Sequence, residues 1–500
     1  MTVKNKKVYD FNAERVKKQL VTAFKKKKRE STIADLISVT GLPKYQVEQT
    51  VKHVLDEYSG HMKVTESGEI LYYFPNGMKS KYRGFGPRMK RFLHSALNIT
   101  GKVLSFLFKI WIMVMVVGYF ILFLLLLVLA VVAAFAGAAA GNKDGDGPGG
   151  GGRGGRPGMG GFGLFFLPIR IIEMFFYILI FSEPRKKRPV RKEKKRPLHR
   201  SVFAYAFGDV NPNEGWEEDQ KKQIVQYIQS HKGLITLEEF IVLTGFSYDS
   251  AQDTINGYLV EFEGEPKVTE EGSLYYFFPE LLKTHTETET IPLKPRYKQI
   301  IPFNSNKKAM NGWITFFNTF NLGFGSYFLY FGSLSYATAQ TVGASYLYLV
   351  TRSLFTSIGL GSGVIPFALG TVPVSFSVLF FLVPLLRRWR EKSKNEKIKQ
   401  ENYRKRLYSE LLRYPVKFDP EDITPLQKQE APASWQTFRD TEINRIGVEK
   451  QIEIEQTESG KQLYTFPELK RELIDIENYR KQLDISEYKK LGETIFDSGE

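Results

Sequence analysis

The sequence predicts a mixed fold class: α-helical transmembrane hairpins joined to α+β winged-helix-like soluble modules. Three observations lead there. A hairpin motif, Thr65-Glu66-Ser67-Gly68 followed by Tyr72, Phe74 and Pro75, recurs as Thr269-Glu270-Glu271-Gly272 with Tyr276, Phe278 and Pro279. It is written a third time as Thr457-Glu458-Ser459-Gly460 with Tyr464, Phe466 and Pro467. Hydrophobic segments long enough to cross a bilayer separate the copies, and basic clusters stand beside those segments.

The first module occupies residues 1–79. Asn12 caps a helix that places Val16, Leu20 and Phe24 on one face. Thr32-Ile33-Ala34-Asp35 is a capping-box start for a short helix ended by Gly41, and a third helix after Pro43 presents Val47, Val51, Val54 and Leu55. Two strands joined at Ser67-Gly68 complete the pattern. Thr236, Gly245, Leu259, Gly264 and Pro279 fall in ungapped register with Thr32, Gly41, Leu55, Gly60 and Pro75, so residues 201–285 form a second module. Residues 434–500 read as a partial third module and tail, with the first helices of that copy unrecognised and a solvated helix near 468–483 packing on it.

Between the modules, residues 80–109 are a basic juxtamembrane segment, and 110–134 are about 25 residues without a charge, longer than the roughly 30 Å hydrocarbon core. A Gly-rich loop at 142–163 leads to a second apolar stretch at 164–181, containing Arg170 and Glu173, which completes a hairpin over 110–181. A basic linker follows at 182–200. After a linker at 286–312, residues 313–386 hold two further crossings, with 342–358 between them as a third crossing, a re-entrant piece or a surface helix. A charged helix and Pro-rich connector cover 387–433. The positive-inside bias then gives four crossings, with the modules and both termini in the cytoplasm of a bacterial inner membrane.

The net charge of +16 sits in clusters that suit anionic lipid headgroups. With no cysteine there is no disulfide framework, thiolate nucleophile or zinc–thiolate site. The six histidines lie scattered, the Gly-rich stretch does not follow a strand, and no P-loop is present. No cofactor, metal or catalytic constellation is expected, and the chain reads as a non-enzyme. Its expected role is an interaction or assembly scaffold, with a partner contact surface at the hairpin tips, Glu66, Glu69, Glu270 and Ser273, and on the third helices. A membrane-tethered DNA-binding regulator is the alternative, disfavoured because the third helix of module two carries Asp249 and Asp253 and no Lys or Arg. A small-solute transporter is another, resting on intramembrane Asn318, Asn321 and Arg352, whose structural reading is helix-to-helix contact.

The segment Ser201-Val202-Phe203-Ala204-Tyr205-Ala206-Phe207-Gly208-Asp209-Val210-Asn211-Pro212-Asn213, the three hairpins and the ending Leu491–Ser498 together resemble a family of uncharacterised multipass membrane proteins of bacteria and plant plastids. The resemblance implies a membrane protein with soluble repeats and transfers no activity.

Overall fold

The computed structural model describes residues 9–27, 30–81, 85–140, 196–285, 289–425, 431–458 and 460–499. The Gly-rich loop, the apolar stretch at 164–181 with Arg170 and Glu173, and most of the basic linker lie outside them. The chain is mostly helical with small antiparallel sheets. It divides into two compact units, one built from Met1–Phe92, Asn211–Ile301 and Lys392–Glu500, the other from Leu93–Val210 and Pro302–Glu391.

In the first unit, Asn12 opens α1 (Ala13–Lys27) by accepting the Arg15 N–H on Oδ1 at 3.1 Å, and Val16, Leu20 and Phe24 are buried as their spacing requires. The Thr32–Asp35 capping box starts α2 (Ile33–Thr40), and α3 (Lys44–Tyr58) buries Val47, Val51 and Val54. β1 (His61–Thr65) and β2 (Ile70–Tyr73) form the hairpin, with Met62 opposite Tyr72. The second module repeats the order as α7 (Trp216–Ser230), β3 (Leu234–Ile235), α8 (Leu237–Thr244), α9 (Tyr248–Phe262), β4 (Glu265–Val268) and β5 (Leu274–Phe277). Its capping box is Thr236–Glu239, and Pro266 stands opposite Tyr276 where Met62 stands opposite Tyr72.

The third copy is fuller than the sequence reading of a half module. The end of α13 (Val372–Arg413) takes the place of its first helix, and Phe418 bridges Tyr464 as Ser31 bridges Tyr72. The second helix has shrunk to one 3₁₀ turn, Pro420–Asp422, opened by the Asp419 side chain. α14 (Trp435–Lys450) and the hairpin β6 (Glu453–Gln456) and β7 (Gln462–Thr465) complete it. The first helix escaped recognition because it continues a charged helix without a break.

One interface joins the copies twice. Gly41 ends α2 with φ +69°, and a Cβ there would lie 3.2 Å from Lys222 Cγ on α7. Gly245 ends α8 with φ +73°, and a Cβ there would lie 2.4 Å from the Glu401 carbonyl oxygen on α13. The second helix of each module thus meets the first helix of the next at a position where only glycine satisfies both the left-handed backbone and the close approach. Gly245→Ala is expected to lower stability by about 2–3 kcal/mol, from positive-φ strain plus overpacking against backbone. Gly68→Ala, also at positive φ but facing open space, should cost only about 1 kcal/mol. Thermal unfolding of the full chain in detergent micelles compares them.

The C-terminal helix α15 (Pro467–Gln482) packs on the third module through Leu469 and Leu473 and through Glu472, which pairs with Lys450 of α14, and it reaches the second module as well. Ile476 and Tyr479 join Leu234, Tyr275, Phe277 and Leu282 on the sheet of the second. After α16 (Ser486–Lys489), β8 (Thr494–Asp497) pairs antiparallel with β1 and makes a three-stranded sheet of order β2-β1-β8.

In the second unit, α4 (Phe85–Met113) passes through a π-turn at Val114–Gly118 into α5 (Tyr119–Ala140). It also holds α6 (Leu198–Phe207), α10 (Lys308–Ser333), α11 (Tyr336–Thr341), α12 (Tyr346–Ser357), a second π-turn at Pro366–Thr371 and the start of α13. Among the described residues two helices are long and apolar enough to cross a bilayer, Ile99–Ala136 and Pro366–Arg413. Only 39% and 33% of their apolar windows are buried, the opposite of a soluble core helix. α10 has the length, 26 residues, but its Asn, Thr, Ser and Gly dilute its apolar character. α12 has 12 residues, about 18 Å, too short for the crossing considered at 342–358.

Candidate interaction surfaces and buried polar sites

Hairpin tips expose the backbone edges that partners can use, and in the first two modules the chain itself engages them. At the first, Glu66 N–H donates to the Glu493 carbonyl at 2.9 Å and Ser67 Oγ to the Leu491 carbonyl at 2.9 Å. Met62 N–H reaches Ser498 Oγ at 2.8 Å, Ser498 N–H reaches the Met62 carbonyl at 3.0 Å, and Tyr73 OH donates to Asp497 at 2.6 Å. The chain's own tail therefore occupies this edge. Glu69 pairs with Lys283 at 2.8 Å. At the second tip, Ser273 is 3% exposed, its N–H held by Thr269 Oγ1, which itself donates to Asp475 of α15. Of the four predicted contact residues, Glu66 and Glu270 keep exposed side chains, whereas Glu69 and Ser273 are committed inside the unit. The β-branched and aromatic residues Thr494, Ile495 and Phe496 are the signal in the sequence that the tail is a strand.

The third helices are engaged too. Lys44, at the start of α3, bonds Glu263 at 2.6 Å and Glu280 at 2.7 Å. Burial pulls its ammonium down, but the two carboxylates outweigh that and hold it above the ordinary lysine range. On α9, Asp249 pairs with Arg445 of α14, which also lies over the Tyr248 ring at 5.6 Å. The helix starts that would enter a DNA groove face neighbouring modules instead.

Three charged groups are buried between modules. Arg480 of α15 grips Glu239 of α8 with two bonds, 2.7 and 2.6 Å, while Tyr227 OH and Thr236 N–H donate to the same carboxylate. Burial pushes the Glu239 carboxyl up, and Arg480 more than offsets it. Arg404 binds Glu442 at 2.8 and 2.6 Å and the Gly245 carbonyl at 2.7 Å, tying α13, α14 and the end of α8. Lys405 is fully buried, and its Nζ donates to the Arg296 carbonyl at 2.8 Å and sits 5.2 Å from the Trp216 ring. Burial, reinforced by Lys298, pushes its ammonium down to about 7. Composition and periodicity gave no sign of these three positions.

In the second unit the two asparagines are buried and each donates to the backbone of a different neighbour, and the arginine lies apart from them. Asn318 Nδ2 donates to the Ser377 carbonyl at 3.0 Å, and Asn321 Nδ2 donates to the Val116 carbonyl at 2.7 Å and Met115 at 3.3 Å. Met115 and Val116 lie in the first π-turn, where the widened bonding leaves carbonyls in need of donors. Arg352 on α12 stacks over the Tyr336 ring at 4.4 Å. The asparagines thus act as contacts between α10, the π-turn and α13. Asn321→Leu, which removes the side-chain donor to the Val116 and Met115 carbonyls, is expected to cost about 1–2 kcal/mol of thermal stability in micelles.

Among the described residues no group of three or more His, Asp or Glu gathers as a metal site. No protein-family model matches the chain, and no solved structure does either. Among curated proteins it is similar to an uncharacterised chloroplastic protein of Arabidopsis thaliana, 22% identical over 416 residues that cover 80% of this chain and 73% of that one.

Proposed function

We propose that the protein is a multi-pass, non-enzymatic assembly scaffold that holds a stack of three winged-helix-like modules on one face of a membrane of bacterial or plastid type. The observation carrying this is the composition of the first unit. Met1–Phe92, Asn211–Ile301 and Lys392–Glu500 fold together, yet an apolar helix of spanning length lies in each interval between them. Segments that pack together share a compartment, so each outward crossing needs a return. The stretch at 164–181 supplies one and α10 the other, which makes four crossings. Assembly is favoured over DNA binding because the helix starts at Lys44 and Asp249 already pair with protein.

The chain contains no cysteine, so single-cysteine labelling needs no background removal. Gln252→Cys on exposed α9 and Ser357→Cys at the end of α12 are expected to react with membrane-impermeant maleimide from opposite sides of sealed vesicles. Labelling of both from the same side overturns the topology. Cross-linking in intact membranes that captures no protein on the modules removes the scaffold role.

A further inference from the structure

The three hairpins are copies, and the fate of their outer edges differs. Met62, Pro266 and Ile454 are equivalent, each opposite the hairpin tyrosine, Tyr72, Tyr276 and Tyr464. In the first hairpin the backbone of Met62 faces outward and pairs with Ser498, and the added strand runs on with Asp497 opposite Lys63 and Phe496 opposite Val64. In the second, Pro266 has no N–H to offer, the device by which edge strands refuse further pairing. In the third, Ile454 keeps its N–H and is 57% exposed, all four residues of β6 are exposed, and among the described residues β7 is the one strand paired with β6. Charge is inverted there as well. The position of Lys63, 3.7 Å from Asp497, is taken by Glu455, and neither Glu453, Glu455 nor Glu458 has a cationic partner among the described residues.

We propose that the edge of β6 accepts an extended basic segment of a partner protein as an added antiparallel strand, with a Lys or Arg opposite Glu455 and an apolar residue opposite Gln456. Main-chain bonds supply attachment and the Glu455 pair supplies choice. The chain's own tail is excluded as occupant, because Asp497 would meet Glu455. This deepens the scaffold reading and rests on it.

The test uses the full chain in detergent micelles and two fluorescein-labelled peptides: the tail strand as it stands, Thr-Ile-Phe-Asp-Ser-Gly, and the same strand with lysine replacing aspartate. The lysine peptide is expected to bind about 5- to 10-fold tighter, and to slow amide exchange at Ile454 and Gln456. Ile454→Pro, a change the second hairpin shows to be compatible with the fold, should weaken binding at least about 10-fold, and Glu455→Lys should reverse the preference. Equal binding by Ile454→Pro, unchanged exchange at Ile454 and Gln456, or no binding up to about 1 mM overturns the proposal. Membrane cross-links at other module surfaces alongside those negative results leave the scaffold reading standing and remove this site alone; no cross-link anywhere removes both.

Discussion

Lys405→Met is expected to stabilise the protein at neutral and acidic pH and to flatten its pH dependence. In the unfolded chain a lysine titrates near 10.4, whereas burial holds Lys405 at about 7 in the folded protein. Between those values the unfolded state binds more protons, so stability rises with pH across that window. Below pH 7 the folded protein carries the whole penalty of a buried charge, about 5 kcal/mol by the separation of the two values. Above about 10.5 the penalty is gone. Methionine has nearly the same volume and nothing to protonate, but it leaves the Arg296 carbonyl without its donor, a loss of about 1–3 kcal/mol. The net gain at pH 6 is therefore about 3 kcal/mol, shrinking and then changing sign as pH approaches 10. Chemical unfolding in micelles from pH 6 to 9.5 measures it; parallel profiles for wild type and variant would show that Lys405 stays charged in the fold.

What buries Lys405 also marks the limit of what the sequence discloses. Residues 286–312 read as a linker, yet Arg296–Ile301 within them is strapped along α13. Asn402 clasps both backbone groups of Lys298 at 2.9 and 2.8 Å, and Asn395, two helical turns earlier, clasps both of Ile301 at 2.9 Å. The strap covers Lys405 from one side and Trp216 from the other. A spacing of seven between two asparagines is too common to announce such a clasp. Local grammar, by contrast, was legible: a capping box needs only Thr32 and Asp35, a left-handed cap only Gly41, and a hairpin register only alternation around a turn. Gly60 and Gly264 recur because a Cβ at either would come within 2.5 Å of Phe74 or Phe278, a constraint that duplication makes visible. The pairings that close the unit join positions more than 400 residues apart, such as Met62 with Ser498, and no periodicity carries that information. Asn318 and Asn321 were found because polarity in an apolar run stands out. Arg352 stood out for the same reason, but its helix is a short connecting one.

Arg480→Ala is expected to be the most damaging single change in the first unit, costing about 3–5 kcal/mol. Glu239 is 6% exposed, and its carboxylate is held below its usual range because Arg480 outweighs the burial cost. Removing the guanidinium leaves a buried carboxylate with only Tyr227 OH and Thr236 N–H, so the group either stays charged at high cost or takes up a proton and weakens the capping of α8. In the wild type this carboxylate stabilises the fold above the unfolded carboxyl range near pH 4.3, and its contribution fades as pH falls through its depressed folded value. In Arg480→Ala burial is no longer offset and lifts the carboxyl above its unfolded range, so the sign reverses: the variant should be least stable near neutral pH and regain stability as pH falls toward that range. Glu239→Gln in the Arg480→Ala background should recover part of the loss, since a neutral amide can accept the Thr236 N–H on its oxygen and donate its own N–H to the Tyr227 hydroxyl. A simple loss of α15 packing, through Ile476 and Tyr479, predicts no such recovery. Urea unfolding of the single and double variants between pH 4 and 7 separates the two, and amide exchange on β5 shows whether α15 has left the sheet.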